Sequence, residues 1–199
     1  MSEEKNNIIA YRNQLKAAIL EISPQIVLSE LNELIEEFEY DFIPKKHNTL
    51  EKGETSDTIY FICSGLIRIF YQKDGKELTN WIVKENMIFS GIYSVLLGNK
   101  SHSIYEAIED THVLTIKVNV LESFYAKYHS IEHLGRRIVQ IYYGDFIKKN
   151  YSVQFLSAEE RYQLFIKDYE DLLNRLPLRV IASYLNITQE TLSRIRGKH

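Results

Sequence analysis

The sequence predicts an α+β fold in which a small antiparallel jelly-roll barrel is followed by a long helix and a helix-turn-helix. The spacing of apolar residues predicts this order, because it is helical at first, then typical of short strands from Asp41 to about Val120, and helical again afterwards. Turn residues separate the β-rich segments, notably Ser64-Gly65 and Asp74-Gly75. Asp-Gly favours a hairpin, because both residues of such a turn adopt positive φ.

The composition limits the class of protein. Of the 199 residues, 45% are hydrophobic, which is enough to fill folded cores. No segment approaches the roughly 18 apolar residues of a membrane span, and the polar start Met1–Asn7 is unlike a signal peptide. We therefore expect a cytoplasmic protein. Cys63 is the only cysteine, which excludes an intrachain disulfide and an iron–sulfur cluster held by four thiolates of one chain, and its apolar neighbours predict a buried thiol.

The first half of the chain predicts two helices and then a barrel. Apolar residues recur at helical spacing up to about Phe38, and Pro24 separates two helices. Short apolar segments bounded by turn residues follow, as in strands. The strand candidates are Phe42–Ile43, Thr58–Cys63, Leu66–Tyr71, Leu78–Val83, Ile104–Ile108 and Val113–Val118. Many short antiparallel strands with tight turns are typical of a small barrel or jelly roll.

One helix, roughly 40 Å long, is predicted from about Ser130 to Leu156. It carries two apolar rows, and we expect one to pack on the barrel and the other on a second copy of the chain. The first row is Ile131, Leu134, Ile138 and Ile141, and the second is Val139, Tyr142, Phe146, Val153 and Leu156. A homodimer is therefore predicted through Val139, Tyr142, Phe146 and Val153. The alternative is a helix buried on both sides within a monomer.

The segment Leu178–Arg196 meets the requirements of two short helices that cross at a tight turn. Ala182 supplies the small residue at the crossing point. Asn186 tolerates the left-handed conformation in which the first helix must end, and Thr188 can cap the second helix. Leu192 and Ile195 lie three residues apart and seal the second helix onto the first.

The outward face of this second helix carries side chains that can read base edges. With Leu192 and Ile195 inward, Glu190 and Arg194 point outward. Arginine pairs with guanine, glutamine with adenine, and glutamate accepts from cytosine N4, although Glu190 and Arg194 can instead form an (i, i+4) ion pair. Cations at the end of the chain are candidates for phosphate contacts. The predicted DNA-binding residues are Arg179, Thr188, Gln189, Glu190, Ser193, Arg194, Arg196 and Lys198.

These segments resemble the Crp/Fnr family of bacterial transcription regulators over almost the whole chain. Thr58–Phe70 and the turn Asp74–Glu77 resemble its cyclic-nucleotide-binding domain, and Gln189–Arg194 resembles its recognition helix. The resemblance implies a sensory domain at 1–128, a dimer helix at 129–156 and a winged helix-turn-helix at 157–199. It also implies double-stranded DNA, a second copy of the chain and RNA polymerase as partners.

Two departures from the family pattern concern the ligand and the wing. Members that bind cyclic AMP carry Gly-Glu and later Arg-Ser, but here Ile92 follows Gly91 and His102 stands at the arginine position. A buried phosphate without a permanent cation is poorly compensated, so we expect neither cyclic AMP nor another cofactor, and the effector is unidentified. A ligand in the barrel would lie near Gly91, Ile92, Tyr93, Ser94, His102 and Ser103.

Only Gly197-Lys198-His199 follow the recognition helix, so most of the wing is expected to be missing.

The sequence also bears on two other classes of protein, an enzyme and a sensor module. For an enzyme, the sequence offers no His-Glu-x-x-His pattern, Gly-rich phosphate loop or nucleophile elbow. His129 and His133 lie four apart, yet with Glu132 they fit a solvated helix face better than a metal site. The sequence therefore predicts no catalytic residue and no metal. A sensor or interaction module of the same fold that no longer binds DNA stays open, because the wing is short.

Overall fold

The computed structural model describes residues 2–197, which form two compact units. The first unit contains the chain up to Ile69 together with Ile82–Gln140, and the second contains Phe70–Trp81 and the chain from Ile141 onward. The α+β class and the jelly-roll barrel predicted from the sequence are confirmed. None of the helices within residues 2–197 combines the length and the apolar character that crossing a bilayer requires.

Two helices open the first unit, as predicted. Helix α1 spans Ser2–Ile22 and α2 spans Leu28–Glu36, and Pro24 lies between them. The guanidinium of Arg12 on α1 donates to the carbonyl oxygens of Glu36 at 2.8 Å and Phe38 at 3.1 Å. The carbonyl of Glu36 is at the end of α2, where helix carbonyls lack a partner within the helix, and that of Phe38 lies two residues beyond. The two hydrogen bonds therefore connect α1 to the end of α2.

The barrel consists of two four-stranded sheets. One has the order β1-β8-β3-β6 and the other β2-β7-β4-β5. The strands are β1 Glu39–Ile43, β2 Asn48–Leu50, β3 Thr58–Ser64, β4 Ile67–Lys73, β5 Lys76–Val83, β6 Ile88–Ser90, β7 Ser103–Ala107 and β8 Thr111–Lys117. A short helix, α3 Ile92–Leu97, connects β6 to β7. The sequence analysis missed β2 and β6, because three residues are too few to show an alternating pattern.

Two tight turns of the barrel depend on backbone conformation. Asp74 and Gly75 both have positive φ, 52° and 74°, which confirms the predicted hairpin between β4 and β5. Gly65, between β3 and β4, has φ 109°. A Cβ atom at Gly65 would lie 2.4 Å from Thr111 Oγ1 and 2.7 Å from Thr111 Cα, so this turn has room for glycine alone.

The core of the first unit joins the N-terminal helices to one sheet. It continues into α4 Val118–Lys127 and the start of α5 His129–Phe155. Its buried members include Leu15, Ile19, Leu31, Leu34, Phe61, Cys63, Leu114, Phe124, Ile131 and Leu134. Cys63 is buried as predicted, and burial raises the pKa of its thiol to about 12. The thiol is therefore a packing group.

The long helix α5 has the predicted length but only part of the predicted burial. Ile131 and Leu134 are buried, whereas Ile141, placed in the same row by the sequence, is 41% exposed. Ile141 therefore does not share the burial of the row in which the sequence places it.

Four helical elements follow in the second unit. They are α6 Ala158–Tyr169, a 3-10 turn at Glu170–Leu172, α7 Leu178–Tyr184 and α8 Gln189–Arg196. Ser157 and Glu160 form a capping box at the start of α6, in which each side chain bonds to the backbone of the other. The buried apolar residues of this unit are Phe70, Tyr162, Phe165, Leu172, Leu176, Val180, Ile181, Ala182, Leu185, Leu192 and Ile195.

Candidate nucleic-acid interface

The turn between α7 and α8 has the geometry that the sequence predicts. Asn186 adopts φ 53°, the left-handed conformation that ends α7. Ala182 is 2% exposed at the crossing of the two helices, and its carbonyl accepts a 3.0 Å hydrogen bond from the amide of Ile187. The turn therefore closes on a small side chain, as a steep helix crossing requires.

Thr188 caps α8, as predicted. Its hydroxyl oxygen accepts a 3.2 Å hydrogen bond from the amide of Thr191, one of the amides that lack a partner in the first turn of a helix. A hydrogen bond to Thr188 lowers the pKa of the Glu190 carboxyl. Glu190 is consequently an anion at neutral pH and an acceptor for a base amino group.

Helix α8 separates an apolar face from a polar one. Leu192 and Ile195 are 1% and 4% exposed, and they pack inward as predicted. The five predicted reading residues of this helix are all exposed: Gln189, Glu190, Ser193, Arg194 and Arg196. Among the residues that the structure describes, neither Glu190 nor Arg194 has an ion-pair partner, so the alternative of an intrahelical pair is not formed. Both side chains lie on the exposed face of the helix.

Two predicted phosphate-contact residues differ from the rest. Arg179, at the start of α7, is half-exposed, and its guanidinium lies 3.2 Å from Glu77 Oε2 on the β4–β5 hairpin. Its charge is thus already partly neutralised. Lys198 lies outside the described residues.

Ser183 joins α7 to the β4–β5 hairpin, a feature that the sequence analysis missed. Its hydroxyl accepts from the amide of Thr79 at 2.7 Å and donates to the carbonyl of Glu77 at 2.9 Å. The Thr79 hydroxyl also lies 3.0 Å from the Ser183 hydroxyl. Because these partners are more than a hundred residues apart, no local sequence signal reveals them.

The predicted ligand residues of the barrel surround α3 and the start of β7. Gly91 is buried, and a Cβ there would lie 2.9 Å from Ser56 Cβ and 3.0 Å from Leu50 Cδ2. The rings of Tyr93 and His102 meet edge to face, 5.0 Å between centroids. Of the other predicted residues, Ile92 is 49% exposed, Ser94 donates to the carbonyl of Asn99, and Ser103 is buried.

A buried ion pair in the first unit also escaped the sequence analysis. Arg68 on β4 is 2% exposed, and its Nε atom contacts the carboxylate of Glu106 on β7, which is 15% exposed. The residues lie 38 positions apart, and only the pairing of β4 with β7 in one sheet makes them neighbours. This guanidinium is therefore already matched by a carboxylate.

The exposed faces of the second half of α5 are rich in large apolar side chains. Val139 is 53% exposed and Phe146 is 50% exposed. Other exposed members are Tyr143, Ile147, Tyr151 and Phe155. Tyr142, predicted to face a second copy, is instead half-buried, and its ring meets Trp81 edge to face at 6.3 Å. Val153 is half-buried.

Together these features define a class of protein: a cyclic-nucleotide-binding-type barrel joined through a long helix to a helix-turn-helix. Residues 42–128 match the family described as the cyclic nucleotide-binding domain. A segment of 62 residues is 34% identical to the global nitrogen regulator of Nostoc sp.. This match covers 31% of the chain and spans 27% of the length of that curated relative.

Solved structures share the fold over most of the chain. FixK2 from Bradyrhizobium japonicum is 20% identical, with a TM-score of 0.69 over 81% of this chain and 83% of its own. The c-di-GMP responsive regulator CLP from Xanthomonas campestris is 15% identical, with a TM-score of 0.68 over 86% and 91%. The catabolite activator protein of Thermus thermophilus is 17% identical, with a TM-score of 0.57 over 91% and 85%. The predicted resemblance is confirmed: the chain has the fold of the Crp/Fnr transcription regulators.

The donor set in the barrel does not fit the cyclic nucleotide that the domain family implies. The resemblance requires an acid for the ribose at position 92 and an arginine for the phosphate at position 102, but the side chains there are Ile92 and His102. The buried guanidinium of Arg68 is paired with Glu106. These side chains therefore do not reproduce the donor set of a cyclic-nucleotide site.

Proposed function

We propose that this protein is a sequence-specific DNA-binding transcription regulator that acts as a homodimer on palindromic sites. One observation carries the proposal: α8 packs Leu192 and Ile195 inward and leaves Gln189, Glu190 and Arg194 exposed, without ion-pair partners among the residues that the structure describes. A capped amphipathic helix of this kind fits the major groove.

Each polar residue of the interface has a proposed role. Arg194 donates two hydrogen bonds to guanine O6 and N7, Gln189 pairs with adenine, and Glu190 accepts from the amino group of cytosine. Thr188, Ser193, Arg196, Arg179 and Lys198 position the helix through the phosphate backbone. The first group would set the sequence preference and the second the affinity for any DNA.

The proposed dimer uses the exposed apolar faces of α5. Val139 and Phe146 are half-exposed large side chains, and burying such surface against a second copy is favourable at roughly 25 cal/mol per Å². A two-fold axis along α5 would set two copies of α8 about 34 Å apart, in successive major grooves of a palindrome. RNA polymerase would then be the partner on the same DNA, and the cytoplasm the place of action.

The barrel would supply regulation by a small ligand other than cyclic AMP. Tyr93 and His102, which meet at 5.0 Å, are the residues of the predicted set that the fold brings together. A ligand shifts a conformational equilibrium only by its different affinity for the two states. A bound effector would therefore act by favouring the state in which both copies of α8 match the DNA.

The proposal is tested by selecting binding sites for the full-length protein from random duplex DNA. The selected sequence should be palindromic, and fluorescence anisotropy should show affinity that falls steeply as salt rises. Binding to random DNA with equal affinity would contradict the proposal and favour a sensor module that does not read DNA.

Light scattering at micromolar concentration should give a dimer, and a monomer would remove the palindromic mechanism.

A further inference from the structure

We propose that Lys149 on α5 and Arg161 on α6 are positioning residues that fix the turn of the helix-turn-helix and so set the angle at which α8 meets DNA. We name this pair the α7 clamp. The inference deepens the proposed function and rests on it, because neither residue lies in the reading face. All groups concerned belong to the second unit.

The need for a clamp follows from the end of α7. The last four carbonyls of a helix have no partner within it, and here the chain must turn at once into α8. The carbonyls of Ile181, Ala182 and Ser183 accept from the amides of Leu185, Ile187 and Asn186, respectively. These short bonds form the turn itself. The next two carbonyls, of Tyr184 and Leu185, point to other partners.

The clamp supplies those partners. Lys149 Nζ donates to the carbonyl of Tyr184 at 2.9 Å, and Arg161 Nε donates to the carbonyl of Leu185 at 2.9 Å. Arg161 also donates through its terminal nitrogen to the carbonyl of Leu156 at 2.7 Å, just after the end of α5. One guanidinium therefore bridges the ends of α5 and α7.

The surroundings of Lys149 are unusual for a lysine. Its Nζ atom lies 2.9 Å from the ring centroid of Tyr184, and the rings of Phe165 and Tyr169 pack on Tyr184 at 5.4 and 5.6 Å. Burial, and secondarily the charge of Arg161, lowers the pKa of Lys149 to about 6. At neutral pH this burial favours the uncharged amine. Lys149 then contributes a hydrogen bond to the carbonyl of Tyr184, and burying its amine lowers the stability of the folded unit.

The loss of stability from burying the amine distinguishes a positioning role of Lys149 from an ordinary packing role. A methionine is about as long as a lysine and carries no donor, so Lys149→Met keeps the apolar contacts, removes the hydrogen bond and also removes the cost of burying an amine. A residue kept for packing would lower both stability and DNA affinity when changed. A positioning residue should lower DNA affinity while stability at pH 7 is unchanged or higher.

The experiment compares Lys149→Met and Arg161→Met with the unaltered full-length protein on its selected DNA site. The matched control is Lys148→Met, the same change at the neighbouring position, where the lysine is exposed and its Nζ lies 3.2 Å from Asp145 Oδ1. We expect the dissociation constant to rise about tenfold for each clamp variant, because a partly buried carbonyl left without its donor disfavours the positioned turn. The control should stay within about twofold.

Amide hydrogen exchange provides a measurement that does not need DNA. Peptides covering residues 182–192 should exchange faster in both clamp variants, because the amide of Ile187 then bonds in a looser turn, and at the control rate in Lys148→Met. Faster exchange with unchanged DNA affinity overturns the positioning role, and so does unchanged exchange. If the unaltered protein shows no preferred site, the proposed function fails, and the exchange result alone then decides whether the clamp holds the turn.

Discussion

The two units of the protein both combine apolar packing with polar contacts, but the polar contacts lie at different places. In the first unit Arg12 donates to the carbonyls of Glu36 and Phe38 beside the N-terminal helices, and in the second unit the polar contacts lie around α7. In the first, large apolar side chains such as Phe61, Leu114 and Ile131 are fully buried. In the second, the helices α6 to α8 also depend on polar side chains that form hydrogen bonds with backbone groups, as Ser183, Lys149 and Arg161 do. Apolar packing tolerates many arrangements of similar volume, whereas a hydrogen bond specifies a direction. The hydrogen bonds at the end of α7 therefore constrain the direction of the turn into α8 more closely than apolar packing alone would.

The largest effect is expected where packing and backbone conformation combine in the first unit. Gly65→Ala should lower the free energy of unfolding by roughly 3–5 kcal/mol, since its Cβ would lie 2.4 Å from Thr111 Oγ1 at a φ of +109°. Urea unfolding followed by far-UV circular dichroism measures it. Gly75→Ala is the control: its φ is +74° with no atom within 4 Å, and it should cost about 1 kcal/mol. Equal losses would show that the tight contact at Gly65 is unimportant.

The second unit should show a stability that depends on Lys149 and on pH. Its pKa is about 6 in the folded protein and about 10.4 when unfolded, so between these values the unfolded chain binds the extra proton and stability rises with pH. From pH 7 to pH 9 the unaltered protein should gain roughly 2 kcal/mol more than Lys149→Met. Urea unfolding followed by the fluorescence of Trp81, the single tryptophan, reports on this unit. Parallel pH profiles of the two proteins would refute the buried amine.

Within the reading face, Arg194→Ala should cost about 1–3 kcal/mol of specific binding and relax the preference at one base position. The measurement is anisotropy on the selected site and on variants of each base pair. Lys198→Ala is the comparison, and it should weaken all sequences alike while reducing the salt dependence. An equal loss for Arg194→Ala on specific and random DNA would show that this side chain contacts only phosphate.

The smallest effect is expected at the contact between α7 and the β4–β5 hairpin. Ser183→Ala leaves the amide of Thr79 and the carbonyl of Glu77 without their partner, which should cost the second unit about 1 kcal/mol. Trp81 fluorescence during urea unfolding again reports the change. Ser193→Ala, on the exposed face of α8, should change stability by less than about 0.5 kcal/mol. A larger loss for the exposed serine would reverse the comparison.

The sequence predicted best those elements whose requirements are local. The hairpin at Asp74-Gly75, the left-handed Asn186 and the cap at Thr188 are each set by residues within one turn of the chain, and all three are confirmed. The long helix was also predicted within a residue at each end. Strands β2 and β6 were missed, because each pairs over only a few residues and is defined by its neighbour.

The polar contacts of the candidate site could not be predicted in the same way. Ser183 and Thr79 are 104 residues apart, and Lys149 and Tyr184 are 35 apart. Serine, lysine and arginine occur on most solvated surfaces, so their residue type gives no sign of a buried partner. The exposure of Ile141 could not be predicted either, because the helical spacing of an apolar residue does not show whether another surface covers it.

By itself the sequence determined the order of barrel, long helix and helix-turn-helix, and it determined which side chains of α8 face outward, because periodicity and turn chemistry act over a few residues. Tertiary structure alone decided that Arg179 is paired with Glu77, that Arg68 is matched by Glu106, and that Lys149 and Arg161 complete the end of α7. Those contacts depend on how distant segments meet in space, and a buried hydrogen bond leaves no repeating pattern along the chain.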